Sequence, residues 1–67
     1  MIAGITEYGK KIKIALIEKD KTQNWLITEV AKRTGLYFDS SYLHKVMTGE
    51  LSTPTIISAI NGILGLE

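Results

Sequence analysis

The sequence contains no cysteine, a single proline and a single histidine. Without cysteine the chain has no disulfide and offers no thiolate to a metal, which suits a reducing compartment. The lone His44 has no second histidine or suitably spaced carboxylate nearby, so we expect no bound metal and no cofactor. We also find no nucleophile, base and acid in a catalytic arrangement, and we therefore expect the protein not to be an enzyme.

Long apolar runs are also absent. Lys, Thr or Gly interrupts every apolar cluster, so no stretch approaches the ~20 apolar residues that a membrane span needs. The first residues lack the basic-then-apolar pattern of a signal peptide. These absences predict a soluble, cytoplasmic protein without a membrane partner.

A large excess of charge of either sign is also absent. The net charge is +1, and all but one of the basic side chains lie within residues 1–33. Neighbouring lysines such as Lys10, Lys11 and Lys13 usually form a solvated face of a helix. Contact with DNA phosphates is the alternative. There is no polybasic arm, so bulk electrostatic attraction to nucleic acid is expected to be weak, and shape must contribute more.

The apolar residues that are present recur at helical spacing. At 67 residues, 45% of them hydrophobic, the chain can bury one small core and form a single domain. The pattern predicts four helices, over residues 6–19, 22–34, 40–48 and 54–64, and no strand. Side-chain oxygens mark the predicted N-caps and glycines mark most of the ends. The caps are Thr6, Thr22, Asp39 and Thr53, and the terminating glycines are Gly35, Gly49 and Gly65.

Each predicted helix has one apolar stripe that is expected to face the core. Trp25 lies beside the second stripe, and the apolar connection Leu36-Tyr37-Phe38 is expected to pack down onto the core. The pattern therefore predicts a compact all-α domain of four to five helices. The stripe residues are Tyr8, Ile12, Ala15 and Leu16; Leu26, Ile27, Val30 and Ala31; Tyr42, Leu43, Val46 and Met47; and Ile56, Ile57, Ile60, Ile63 and Leu64.

The third predicted helix carries a second, polar face. Ser41, His44, Lys45 and Thr48 follow at i, i+3, i+4 and i+7, and Ser40 precedes them in the first turn. A helix with one apolar face for docking and one polar face of donors and acceptors meets the needs of a recognition helix in the DNA major groove. For His44 the sequence fits a base contact and a solvated side chain equally well.

These residues resemble a known family. Thr22-Gln23, Leu26-Ile27, Gly35, the run from Ser41 to Gly49, and Pro54 are similar to the Cro- and phage-repressor-like helix-turn-helix regulators of the xenobiotic-response-element type. The resemblance implies a lambda-repressor-like fold in which residues 1–67 form one DNA-binding domain. It also implies a transcriptional regulator of a prophage or mobile element that binds operator DNA as a homodimer.

The resemblance assigns roles to six positions. Gln23 matches a phosphate-contacting glutamine, Thr48 matches a backbone-contacting position, and Ser40, Ser41, His44 and Lys45 match base-facing positions. The chain departs from the family in its longer second helix, its longer connection and Met47, where glutamate is common. These differences bear on the docking angle of the third helix and on which of its four polar positions reach bases, and the sequence leaves both open.

A second function fits the same scaffold. The weak net charge and the candidate exposed hydrophobics Leu36, Tyr37, Phe38, Leu16 and Ile17 are compatible with a modulator or antirepressor that binds another regulatory protein. For the homodimer, the apolar C-terminal residues 63–66 are the candidate contact.

Overall fold

The computed structural model describes residues 6–66, which contain four α-helices and no β-strand. The helices are α1 Glu7–Lys19, α2 Gln23–Thr34, α3 Ser40–Thr48 and α4 Pro54–Leu64. The all-helical prediction is confirmed, and each predicted bound agrees with the structure to within one residue. The radius of gyration is 11.0 Å, close to the ~11 Å expected for a compact domain of this length. Within residues 6–66 no helix is both long and apolar enough to cross a membrane.

Three of the four helices begin with the side-chain cap that the sequence predicts. The hydroxyl of Thr6 accepts from the Gly9 N–H at 3.1 Å and that of Thr22 from the Trp25 N–H at 3.1 Å. The Asp39 carboxylate accepts from the Tyr42 N–H at 2.9 Å. Each bond satisfies one of the N–H groups that a helix leaves unpaired at its start.

Thr53 is the exception, and its predicted capping role is wrong. It stands at the N-cap of α4 with extended backbone, but its side chain makes no capping hydrogen bond. Its hydroxyl lies 2.9 Å from the Tyr42 hydroxyl instead, so it links α4 to α3. Pro54 at the first position of α4 lowers the need for a cap, because proline has no N–H to satisfy.

One hydrophobic core joins all four helices. Members of every predicted stripe are fully buried, while Tyr8, Ile27, Tyr42 and Ile57, among others, are only partly buried around it. Ala59 is buried although it lies outside the predicted stripe. The core consists of Ile12, Ala15, Leu16, Leu26, Val30, Phe38, Leu43, Val46, Met47, Ile56, Ala59, Ile60 and Leu64.

The connection between α2 and α3 packs on the core through one side chain only. Phe38 is 5% exposed, as predicted, whereas Leu36 is 46% and Tyr37 78% exposed. The expectation that all three pack down is therefore wrong. A short extended connection turns successive side chains to different sides, and only Phe38 meets the core.

Two polar contacts between helices reinforce this core. The Tyr8 hydroxyl donates to Asn61 Oδ1 at 2.7 Å, and burial raises the pKa of Tyr8 to about 12, so it remains a donor at ordinary pH. The backbone N–H and the hydroxyl of Thr6 both donate to the Met47 carbonyl, at 3.0 and 2.9 Å. Thr6 therefore caps α1 and holds the last turn of α3 at the same time.

Substituting Thr6 tests that double role. We expect Thr6→Ala to lower the free energy of unfolding by about 1–2 kcal/mol, because it removes a helix cap and one bond to Met47. Thr6→Ser keeps the hydroxyl and should lose much less. Urea unfolding followed by circular dichroism measures both variants; equal losses would contradict a hydroxyl-based role.

Candidate functional site

The exposed face of α3 is the candidate site. Leu43, Val46 and Met47 are 1%, 2% and 3% exposed, and they dock the helix on the core. On the other side Ser40, Ser41, His44 and Lys45 are exposed to solvent. The structure thus places these four predicted base-facing residues together on one helix surface.

The start of α3 is held rigidly. Gly35 ends α2 with φ +69, a left-handed conformation that favours glycine. Phe38 anchors the connection in the core, and its ring lies 5.0 Å from that of Tyr42 in a tilted arrangement. Asp39 then caps the helix, so the orientation of α3 relative to α2 is set by buried contacts.

Asp39 dominates the electrostatics at this end of α3. Its carboxylate accepts from the Tyr37 hydroxyl at 2.7 Å as well as from the Tyr42 N–H. The bond from Tyr37 is the main cause that lowers the pKa of Asp39, followed by the bond from Tyr42, and it also raises the pKa of Tyr37. The protein's own carboxylate therefore occupies the positive end of α3, and an outside phosphate would have to bind elsewhere.

Thr48 and Gln23 differ from the other predicted site residues. The Thr48 hydroxyl donates to the Lys45 carbonyl at 3.2 Å, so it is engaged within its own helix. Gln23 is exposed in the first turn of α2, and no hydrogen bond within residues 6–66 joins it to α3. The structure brings four of the six predicted residues onto one face, with Thr48 at its end and Gln23 on a separate helix.

Gln23 instead lines a cleft that the sequence did not reveal. This cleft, of about 300 Å³, lies between the second half of α1 and the start of α2 and is open to solvent. A signal existed in the sequence: Ile17 falls outside the apolar stripe of α1, close to two lysines. The lining residues are Lys13, Leu16, Ile17, Lys21 and Gln23.

The exposed hydrophobic residues differ from those expected. Ile17 is 77% exposed, as predicted, and Ile14 is 54% exposed. The protein-binding alternative needs Leu16 and Phe38 on the surface, but they are 4% and 5% exposed, in agreement with the core prediction made for each of them. The described C-terminal residues also pack on the chain's own core, with Leu64 buried and both Ile63 and Leu66 partly buried.

The site offers little for metal chemistry: among residues 6–66, no three His, Cys, Asp or Glu side chains come together in a way that could hold an ion. Comparison of the chain with family models, with curated proteins and with solved structures found no match. What can be said about function therefore starts from the α3 surface and the cleft.

The Asp39 network predicts a pH dependence of stability. The folded-state pKa of Asp39 is below its unfolded value, so its contribution is present above the unfolded pKa and is lost as pH falls through the folded pKa. We expect the free energy of unfolding, measured with urea, to fall as the pH is lowered from about 5 to 2. Asp39→Asn can still cap α3 but does not titrate, so it should reduce this dependence on pH. An unchanged pH profile in Asp39→Asn would contradict the assignment.

Proposed function

We propose that the chain is a sequence-specific DNA-binding transcriptional regulator in which α2 and α3 act as a helix-turn-helix. In this proposal α3 enters the major groove and α2 lies across it. Neither an active site nor a cofactor is required by this function.

The division of α3 into two faces is the observation that carries the proposal. Three almost fully buried side chains anchor the helix, and none of the nine residues of α3 is acidic. A docked helix whose free face is polar and without acidic side chains can approach base edges closely. The nearest carboxylate is that of Asp39 at its N-cap.

Each residue of the free face has a suitable chemistry. The Lys45 ammonium can donate to guanine O6 and N7, and the serine hydroxyls can donate or accept in the first turn. His44 lies one position before Lys45, on the same surface. We assign base contacts to Ser41, His44 and Lys45, with Ser40 at the rim and Thr48 beside the DNA backbone.

Phosphate contacts have to come from outside α3, because Asp39 already caps its N-terminus. Gln23 is exposed in the first turn of α2, where its amide is free to meet a phosphate oxygen. Contacts of this kind set the position of the protein on the duplex without reading sequence.

One α3 covers only a few base pairs, too few to select a site in a genome. We therefore propose a two-fold homodimer on two inverted half-sites about one DNA turn apart, ~10 base pairs. If the C-terminal residues form the dimer contact, Ile63 and Leu66 supply it, because Leu64 faces the core of its own chain.

A gel-shift titration with the DNA that flanks the encoding gene tests the proposal. Specific binding by the isolated protein, with footprints on two symmetric half-sites, is expected. A single asymmetric footprint, or no preference over unrelated DNA, would contradict it.

Lys45→Ala should weaken binding to the cognate site by about 1–3 kcal/mol and relax the preference at one base pair in each half-site. Lys32→Ala is the matched control, because it removes the same charge from the last turn of α2, where Lys32 lies 3.4 Å from Glu29. Binding to a library of operator variants measures both. Equal effects of the two substitutions would mean that Lys45 acts through charge alone.

Gln23→Ala should weaken binding to all DNA sequences by a similar factor, because a phosphate contact positions without specifying. Competition between specific and unrelated duplexes measures the ratio, which should stay constant. A changed ratio with unchanged affinity would overturn the role given to Gln23.

A further inference from the structure

The cleft between α1 and α2 combines two chemistries that the DNA-binding proposal does not use. Leu16 forms part of its wall and is 4% exposed, whereas Ile17 projects into solvent and is 77% exposed. Lys13 and Lys21 lie beside these apolar groups, and Gln23 completes the lining. Apolar and basic side chains therefore meet in one depression.

The two lysines are available to an outside partner. Within residues 6–66 neither of them forms an ion pair, since Lys32 with Glu29 is the salt bridge found there. The Lys21 ammonium lies 5.4 Å from the centre of the Trp25 ring, a cation–π distance that restrains it at the start of α2. Lys21 therefore lies beside the cleft and makes no salt bridge among residues 6–66, with Glu18 and Asp20 close to it in sequence.

The openness of the cleft favours side chains over a free small molecule. At about 300 Å³ it is at the lower end of small-molecule pockets, which measure ~300–1,000 Å³ and enclose most of their ligand. An open cleft of this size accommodates one or two side chains of a longer chain that continues across the surface.

We propose that this cleft binds an acidic segment of another protein, in which an aliphatic or aromatic side chain lies between carboxylates. The apolar side chain would pack against Leu16 and Ile17, and the carboxylates would meet Lys13 and Lys21. Charge complementarity selects the acidic segment, because a basic or neutral one would leave both ammonium groups without partners. This inference depends on the cleft alone and not on DNA binding by α3.

A short capped peptide in which leucine and phenylalanine alternate with aspartate and glutamate is a suitable probe. It is titrated into the isotope-labelled full chain, and amide chemical shifts report the residues affected. Two control peptides separate the contributions, one with serine in place of the apolar residues and one with glutamine in place of the acidic residues. We expect shifts centred on Lys13, Ile17, Lys21 and Gln23, and about tenfold weaker binding of each control peptide.

Matched variants test the location. Ile17→Asn and Lys13→Gln should each weaken peptide binding several-fold. Leu36→Asn changes another exposed hydrophobic residue, 46% exposed and just beyond the end of α2. Lys11→Gln removes a charge about 160° around α1 from Lys13. Both variants should bind normally. All four positions are exposed, so the variants should fold, which circular dichroism checks.

Three results would overturn the proposal: no shifts with the acidic peptide, equal binding of the glutamine peptide, or equal losses in Leu36→Asn and Ile17→Asn. Cleft shifts produced by duplex DNA and not by the peptide would also overturn it and would make the cleft a DNA backbone contact. Loss of DNA binding in Lys45→Ala with peptide binding retained is expected, because the peptide does not contact α3.

Discussion

The docking of α3 by Leu43, Val46 and Met47 is the constraint on which the rest of the structure depends. Because these side chains are buried in the core, the opposite face of α3 has to point into solvent. The buried side chains therefore also determine which residues of α3 can contact a partner. The contacts at both ends of the helix serve the same purpose. Asp39 and Phe38 hold its start, and Thr6 holds its last turn through the Met47 carbonyl. A rigid helix of this kind can present side chains in a defined geometry, since little ordering remains to be done on binding.

The small core also explains why the chain has more than one surface with binding chemistry. Each helix of a short domain can bury one stripe only, so a large share of its side chains remains outside. On α3 the outer face is polar and free of acidic residues. On α1 it is mixed, with Ile14 and Ile17 exposed among lysines. Two outer faces of such different chemistry suit two different partners. The exposed side chains of both faces lie outside the core, so the fold does not depend on them.

The sequence predicted the helices well because their signals are local. Caps such as Thr22 and Asp39, and glycines such as Gly35, act within one helical turn of their own position, and so they can be recognised without knowing the fold. Two differences from the predictions depend on tertiary packing. Thr53 bonds to Tyr42 instead of capping α4, and which residue of the connection reaches the core is decided by where the core lies. The four residues of the α3 face could be predicted for the same local reason. The cleft is lined by residues 13–23 only, but its shape depends on the path of the chain from α1 into α2, which the helical pattern does not give.

Gln23 is where the two proposed functions meet. It is exposed for a phosphate contact at the start of α2, and it also lines the cleft in which an acidic segment would bind. Carboxylates next to Lys13 and Lys21 would repel a DNA phosphate at that position, so an occupied cleft and a bound duplex would disfavour each other. Thermodynamic linkage makes such an effect reciprocal: the factor by which the acidic partner weakens DNA binding equals the factor by which DNA weakens the partner. Such a partner could release the regulator from DNA without touching α3, because the cleft lies on other helices and the base-facing residues stay as they are.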